Sequence, residues 1–221
     1  VFCLADVAYP KDLPRNPADT DKLGTRLSNQ KHAYEHEMLD TKALKMIERT
    51  MAQKLRDMSE WFPVVSLTGP RQSGKSTLIK AVFPEYEYLN LENPEVRRAA
   101  LDDPVGFISR RPDHLIIDEA QYAPELFSMI QVASDERGRT GQYVLSGSQN
   151  FLLMHNIQQS LAGRVGMLKL LPLSYQELSD TQISLDTYLI RGGYPRIYDA
   201  GIPTDMFYQN YLMTYVERDA G

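Results

Sequence analysis

The sequence is poor in cysteine. Cys3 is the single one in 221 residues, so no disulfide can form within the chain, and a reducing, intracellular setting fits best. It has no long apolar run. Stretches such as "LIID" (115–118) and "FLLM" (151–154) fall far short of the roughly 20 residues that a spanning helix needs, so no membrane partner is expected. It has no excess of positive charge. The 24 Lys and Arg against 29 Asp and Glu leave a net charge of −5, and no global basic field exists to hold nucleic acid. It has no basic leader either. The opening "VFCLADVAYP" lacks the parts of a secretion signal, so the expected location is cytoplasmic, and its first residue, Val1, reads as a fragment or a processed form. The four histidines, His32, His36, His114 and His155, show no zinc spacing.

What is present suffices for one domain. Hydrophobic residues make up 43% of the chain, enough for a full core. Residues 1–40 are rich in Pro, Asp and Asn, and Pro10, Pro14 and Pro17 break any helix, so this stretch reads as a loose arm. Leu44, Ile47, Met51, Leu55 and Met58 then recur at three- and four-residue steps, which predicts an amphipathic helix over about 41–60. Trp61-Phe62-Pro63 ends it.

Beyond that point strands and helices alternate. Apolar strands are predicted at 63–69, 86–91, 114–119, 142–148 and 165–171. Helices are expected at 75–82, after Asn93-Pro94, after Asp103-Pro104, and at 124–136 and 150–163. Ser174 and Glu177 have capping-box spacing, and shorter helical pieces follow at 186–190 and from about 204 to 218. The fold class is therefore α/β: a five-stranded parallel sheet with helices on both faces, preceded by an arm and a helix and followed by C-terminal helices. The expected division is 1–40, 41–172 and 173–221. In such sheets ligands sit beyond the carboxyl ends of the strands.

Three motifs fall at those ends. The first is "GPRQSGKST": Gly69, Pro70, Arg71, Gln72, Ser73, Gly74, Lys75, Ser76 and Thr77. Its spacing is that of the phosphate-binding loop of P-loop nucleotide hydrolases. Gly69 and Gly74 permit backbone angles that let main-chain N–H groups turn inward around a phosphate. The helix that follows adds its positive end. Lys75 neutralises the outer phosphates, the Ser76 hydroxyl can ligate Mg²⁺, and Thr77 lies near the inner phosphate.

The second motif is Asp118-Glu119, after "LIID". Asp118 can hold Mg²⁺ through its water shell, and Glu119 can polarise a water for attack on the terminal phosphate. The third is "VLSGSQN", whose Ser146, Ser148, Gln149 and Asn150 can sense a terminal phosphate or serve as a helix cap. Arg164, in "SLAGRVG", can neutralise developing phosphoryl charge in its own site or a neighbour's, or simply sit at a helix carboxyl end.

The chain also resembles a known family. "LTGPRQSGKSTL", "YLNLENPEVRRAALDDPVGFI", "LIIDEAQYAPELF", "YVLSGSQNFLLM", "SLAGRVGMLKLLPLSYQEL", "GGYP" and "YVERD" are similar, in order, to the prokaryotic AAA+-like ATPases whose core precedes a C-terminal domain of unknown function. The resemblance covers about 62–219. It implies ATP binding with Mg²⁺, an extra strand between the loop strand and the acidic strand, and hydrolysis of ATP to ADP and phosphate. It carries over Gly74, Lys75 and Ser76 as nucleotide ligands, and Asp118 and Glu119 as metal and water residues. It lends weight to Arg164 as a catalytic cation. A homo-oligomer and a protein partner both fit. A nucleotide-controlled switch and a small-molecule kinase are the competing readings. The first forty residues resemble nothing in that family, and the chain stops soon after "YVERD".

Overall fold

The computed structural model describes residues 47–111, 114–148, 157 and 160–216. The expected arm at 1–40, Gln149, Asn150 and most of the helix expected at 150–163 lie outside them.

Five parallel strands form one sheet in the order β2-β3-β4-β1-β5. They are β1 (Val64–Gly69), β2 (Glu87–Asn90), β3 (Leu115–Asp118), β4 (Tyr143–Ser148) and β5 (Val165–Lys169). Strand β4 lies between the loop strand β1 and the acidic strand β3, where the family resemblance implies an extra strand. The register places Gly69 beside Ser148 and Asn90 beside Asp118, so the motif-bearing ends are level.

Alternation of side chains explains why the strands are apolar throughout. Val64, Leu115, Ile117, Tyr143 and Leu145 face one buried cluster; Val65, Leu67, Ile116 and Val144 face another. Helices α4 (Pro104–Ser109) and α5 (Glu125–Arg137) supply Phe107, Ile108, Leu126, Phe127 and Ile130 to the first. Helices α1 (Met51–Trp61) and α2 (Lys75–Val82) supply Leu55, Leu78, Ile79 and Val82 to the second. Each such aliphatic side chain contributes about 2 kcal/mol on burial. Among the described residues no helix is long and apolar enough to cross a membrane.

Local signals fix the helix starts. Asn93 accepts from Glu95 N–H at 2.9 Å ahead of Pro94, which opens α3 (Pro94–Asp102). Asp103 accepts from Gly106 N–H at 2.8 Å ahead of α4. The Ser174–Glu177 capping box forms in both directions, at 3.2 Å from Glu177 N–H and 2.8 Å from Ser174 N–H, and opens a 3₁₀ turn, Gln176–Thr181. The first helix among the described residues differs from expectation. It begins at Met51, and residues 47–49 are not helical. The reason is that Arg49 and the Thr50 N–H are engaged elsewhere, by Glu177. The last helix also differs: α8 (Thr204–Tyr211) widens into a π turn over Leu212–Val216.

The "GGYP" segment has a steric basis. It joins α6 (Leu185–Arg191) to α7 (Pro195–Asp199). Leu173 N–H donates to Gly193 O at 2.6 Å, and a Cβ on Gly193 would stand 2.0 Å from Leu173 O. The two backbones can lie this close only without a side chain. Gly193→Ala is expected to cost about 1–3 kcal/mol by overpacking, read as a lower midpoint in urea with an unchanged slope. An unchanged midpoint would show that the segment yields freely. Tyr194 of the same segment packs on Phe207, Tyr208 and Tyr211, with ring centroids 5.2, 6.0 and 4.9 Å away. Tyr208 and Tyr211, which share a helix face, thus belong to an aromatic cluster.

Candidate functional site

The loop between β1 and α2 starts at a position with no room for a side chain. A Cβ on Gly69 would lie 2.1 Å from Leu170 O, so β1 can turn into the loop only at glycine. Gln72 and Gly74 both have left-handed backbones, with φ of 60° and 91° around Ser73. Alternating handedness of this kind gathers N–H groups toward one concave face. Lys75, the first residue of α2, is 6% exposed. Its Nζ donates to Gly69 O at 3.1 Å and to Pro70 O at 2.9 Å, arching over the loop. Burial pushes the Lys75 ammonium pKa down, while Glu119 and Asp118 oppose that shift, so both acids act on the loop lysine.

Asp118 ends β3 and is buried. Its Oδ2 accepts from Ser76 Oγ at 2.6 Å and from Tyr88 Oη at 2.6 Å. Its Oδ1 accepts from Ser146 Oγ and, at 3.1 Å, from Glu119 N–H. The loop hydroxyl and the strand acid therefore meet. Tyr88 is half-buried and hydrogen-bonded to Asp118, and desolvation and that bond both raise its phenol well above the ordinary range. Among the described residues no three His, Cys, Asp or Glu side chains gather as metal ligands. The pair of Ser76 and Asp118 is instead a hard-oxygen set of one hydroxyl and one carboxylate. That set suits Mg²⁺, which keeps several waters and takes the rest of its shell from phosphate.

Glu119 follows with φ 54° and ψ 45°, a left-handed conformation uncommon for a residue with a side chain. The chain turns there into the short 3₁₀ segment Ala120–Tyr122. Gln121 Nε2 donates to Glu119 Oε2 and, at 3.4 Å, to Ser148 Oγ. Ser148 is thus beside Gly69 in register and joined to Glu119 through one amide.

Arg164 lies elsewhere. Its carbonyl accepts from Val64 N–H at 3.2 Å, at the amino end of β1, whereas the loop leaves the carboxyl end about 15 Å away. Its guanidinium forms a two-pronged pair with Asp135 at 2.6 and 2.8 Å. The hydrogen bond from Arg164 holds the exposed Asp135 carboxyl below its usual range. Within one chain Arg164 does not join the loop.

Three contributors escaped the sequence reading: Tyr88, Gln121 and Arg49; Ser146, read there as a sensor or a cap, bonds Asp118 instead. Tyr88 and Gln121 required the sheet register. Arg49 is the longest-range of them. Its Nη1 donates to Ser73 O at 2.9 Å, its Nη2 to Leu171 O at 2.7 Å, and its Nε to Glu177 Oε1 at 3.0 Å. The Arg49 and Glu177 side chains are 10% and 4% exposed. From the other side, Tyr211 Oη donates to Arg71 O at 3.4 Å. The phosphate loop is therefore gripped by segments distant in sequence.

Glu177→Gln is expected to destabilise the fold by about 3 kcal/mol at neutral pH, because it leaves Arg49 buried without its counter-charge. Burial raises the Glu177 pKa, but hydrogen bonds from Ser174, Thr50 and Arg49 outweigh it, and the net shift is below the usual 4.5. A depressed carboxyl pKa stabilises above the unfolded value and loses that contribution as pH falls through the folded one. Wild type and variant should thus differ fully above pH 4.5 and converge in more acid solution, as measured by urea unfolding across pH. Parallel pH curves would contradict this.

A parallel sheet with a strand between the loop strand and the acidic strand, and with Ser76 touching Asp118, defines a P-loop ATPase core. The comparison with known families agrees: a model described as an AAA domain matches residues 62–179, and the chain belongs to that family. It is 35% identical over 176 residues to two uncharacterized proteins, Rv2008c of Mycobacterium tuberculosis and Mb2031c of Mycobacterium bovis. The match covers 77% of this chain and 39% of each relative's length. Among solved structures, the Walker-type ATPase PABY2304 of Pyrococcus abyssi shares the fold, with a TM-score of 0.55 and 17% identity over 78% of this chain and 75% of that one.

Proposed function

We propose that the chain binds ATP with Mg²⁺ at residues 69–77 and hydrolyses it to ADP and phosphate. The observation that carries this reading is the 2.6 Å hydrogen bond from Ser76 Oγ to Asp118 Oδ2. It brings the loop helix and the acidic strand to one point, where a metal shared by triphosphate and protein belongs.

Each residue then has one task. The main chain of Gly69, Pro70, Arg71, Gln72, Ser73 and Gly74 cradles phosphate. The Lys75 ammonium leaves its two carbonyl partners for the outer phosphates, and Thr77 borders the inner one. Ser76 and Asp118 would hold Mg²⁺, which supplies charge neutralisation along the triphosphate when bound. Tyr88 and Ser146 keep Asp118 oriented as Ser76 turns toward the metal.

Glu119 draws a proton from water as its oxygen bonds to the terminal phosphorus. The bond from that phosphorus to the bridging oxygen breaks, and the electron pair leaves with ADP. Ser148, beside the loop in register, senses the terminal phosphate. A catalytic role for Arg164 requires a second copy of the chain, since its own loop is out of reach.

A second reading, a nucleotide-controlled switch with little turnover, is favoured by the grip of Arg49 and Tyr211 on the loop carbonyls. Calorimetric titration with ATP and Mg²⁺, paired with a phosphate-release assay, separates the two. Heat with phosphate release supports hydrolysis. Heat alone supports the switch, and no heat from folded protein overturns both.

A further inference from the structure

The Glu119–Ser148 bridge leaves one atom unaccounted for. The Gln121 amide nitrogen faces the Glu119 carboxylate, because a carbonyl oxygen there would set acceptor against acceptor. That orientation fixes where the other end of the amide stands. Gln121 Oε1 is fully buried and has no hydrogen-bond partner among the described residues. A buried acceptor without a donor is costly to fold, and such atoms collect where a ligand or an ordered water completes the set. The backbone holds this one firmly. Tyr122 N–H donates to Glu119 O at 3.1 Å and Ala123 N–H to Ala120 O at 3.2 Å, while Ala120 and Ala123 are anchored in the core. The amide thus lies on a rigid turn, between the acid proposed as base and the hydroxyl proposed to sense phosphate.

We propose that Gln121 is a catalytic residue whose Oε1 accepts the second hydrogen of the attacking water. This deepens the hydrolytic reading above and rests on it. Water has two protons to place. One passes to Glu119 as the oxygen attacks. The other stays on that oxygen, which becomes a hydroxyl of the released phosphate, and Gln121 Oε1 accepts a hydrogen bond from it throughout. With both hydrogens directed, the lone pair is aimed at phosphorus. The same amide's Nε2 keeps Glu119 and Ser148 in register, so base, water and phosphate sensor are aligned by one side chain.

The test uses the full chain and compares wild type with Glu119→Gln and Gln121→Ala. ATP affinity in Mg²⁺ is measured by calorimetry, and hydrolysis by single-turnover phosphate release. Gln121→Ala should bind ATP within about threefold of wild type yet hydrolyse it roughly 10- to 100-fold more slowly, the size expected for a misdirected reactant.

An active wild type with an unimpaired Gln121→Ala overturns this inference alone. So does a Gln121→Ala whose binding falls in step with its rate. A wild type that binds ATP and releases no phosphate overturns the hydrolytic reading, and this inference with it. A Glu119→Gln as fast as wild type overturns the base assignment instead.

Discussion

Lys75→Ala is expected to abolish measurable ATP binding while leaving the fold intact. Lys75 is 6% exposed, and its ammonium is held by the carbonyls of Gly69 and Pro70. Its charge is thus kept at the mouth of the loop with little solvent to screen it. Bound triphosphate would exchange two neutral acceptors for charged ones, a gain the alanine variant cannot make. Loss of charge-assisted hydrogen bonds of this kind costs about 3 kcal/mol or more, at least about 100-fold in affinity. The fold should tolerate the change, because burial already weighs against the charged form, and the Asp118 carboxylate keeps its hydrogen bonds from Ser76, Tyr88, Ser146 and the Glu119 N–H. Calorimetry for binding and thermal unfolding for stability read the two halves separately. Normal heat from the variant would sink the idea that the lysine reads phosphate.

Glu119→Gln is expected to do the opposite: ATP should bind nearly as in wild type, and turnover should fall by about 10²- to 10⁴-fold, the usual contribution of a general base. The amide has the same shape and still offers an oxygen to Gln121. What it lacks is the ability to take a proton. The variant should therefore accumulate bound ATP, visible as retained nucleotide after rapid desalting. If it instead releases phosphate at the wild-type rate, water is activated elsewhere.

Much of the fold was legible because it rests on local patterns. Unbroken apolar runs in "PVVSLTG" and "HLIIDE" mark strands covered on both faces, and Asn93-Pro94 and Asp103-Pro104 mark helix starts through side-chain caps. The candidate site was legible where one segment carries it, as in Gly69–Thr77. It was opaque where contacts cross the sheet. Nothing in "EYLN" says that Tyr88 will meet Asp118, because the meeting depends on β2 lying beside β3. The start of α1 was misplaced for the same reason. Periodicity favoured one helix over about 41–60, but Glu177, 127 residues beyond Thr50, captures the backbone there and residues 47–49 are not helical. Arg164 was left open between two roles, and only the register of β1 against β5 shows how far it stands from its own loop.

Glu119 is bent the wrong way for an ordinary residue, with φ at 54°. That posture carries a standing penalty of roughly 1 kcal/mol, which glycine would not incur. Breeding this protein for heat tolerance alone would therefore drift position 119 toward glycine and remove the acid proposed as base. A hardened version should be sought elsewhere, on the outer helices, with this kink left as it is.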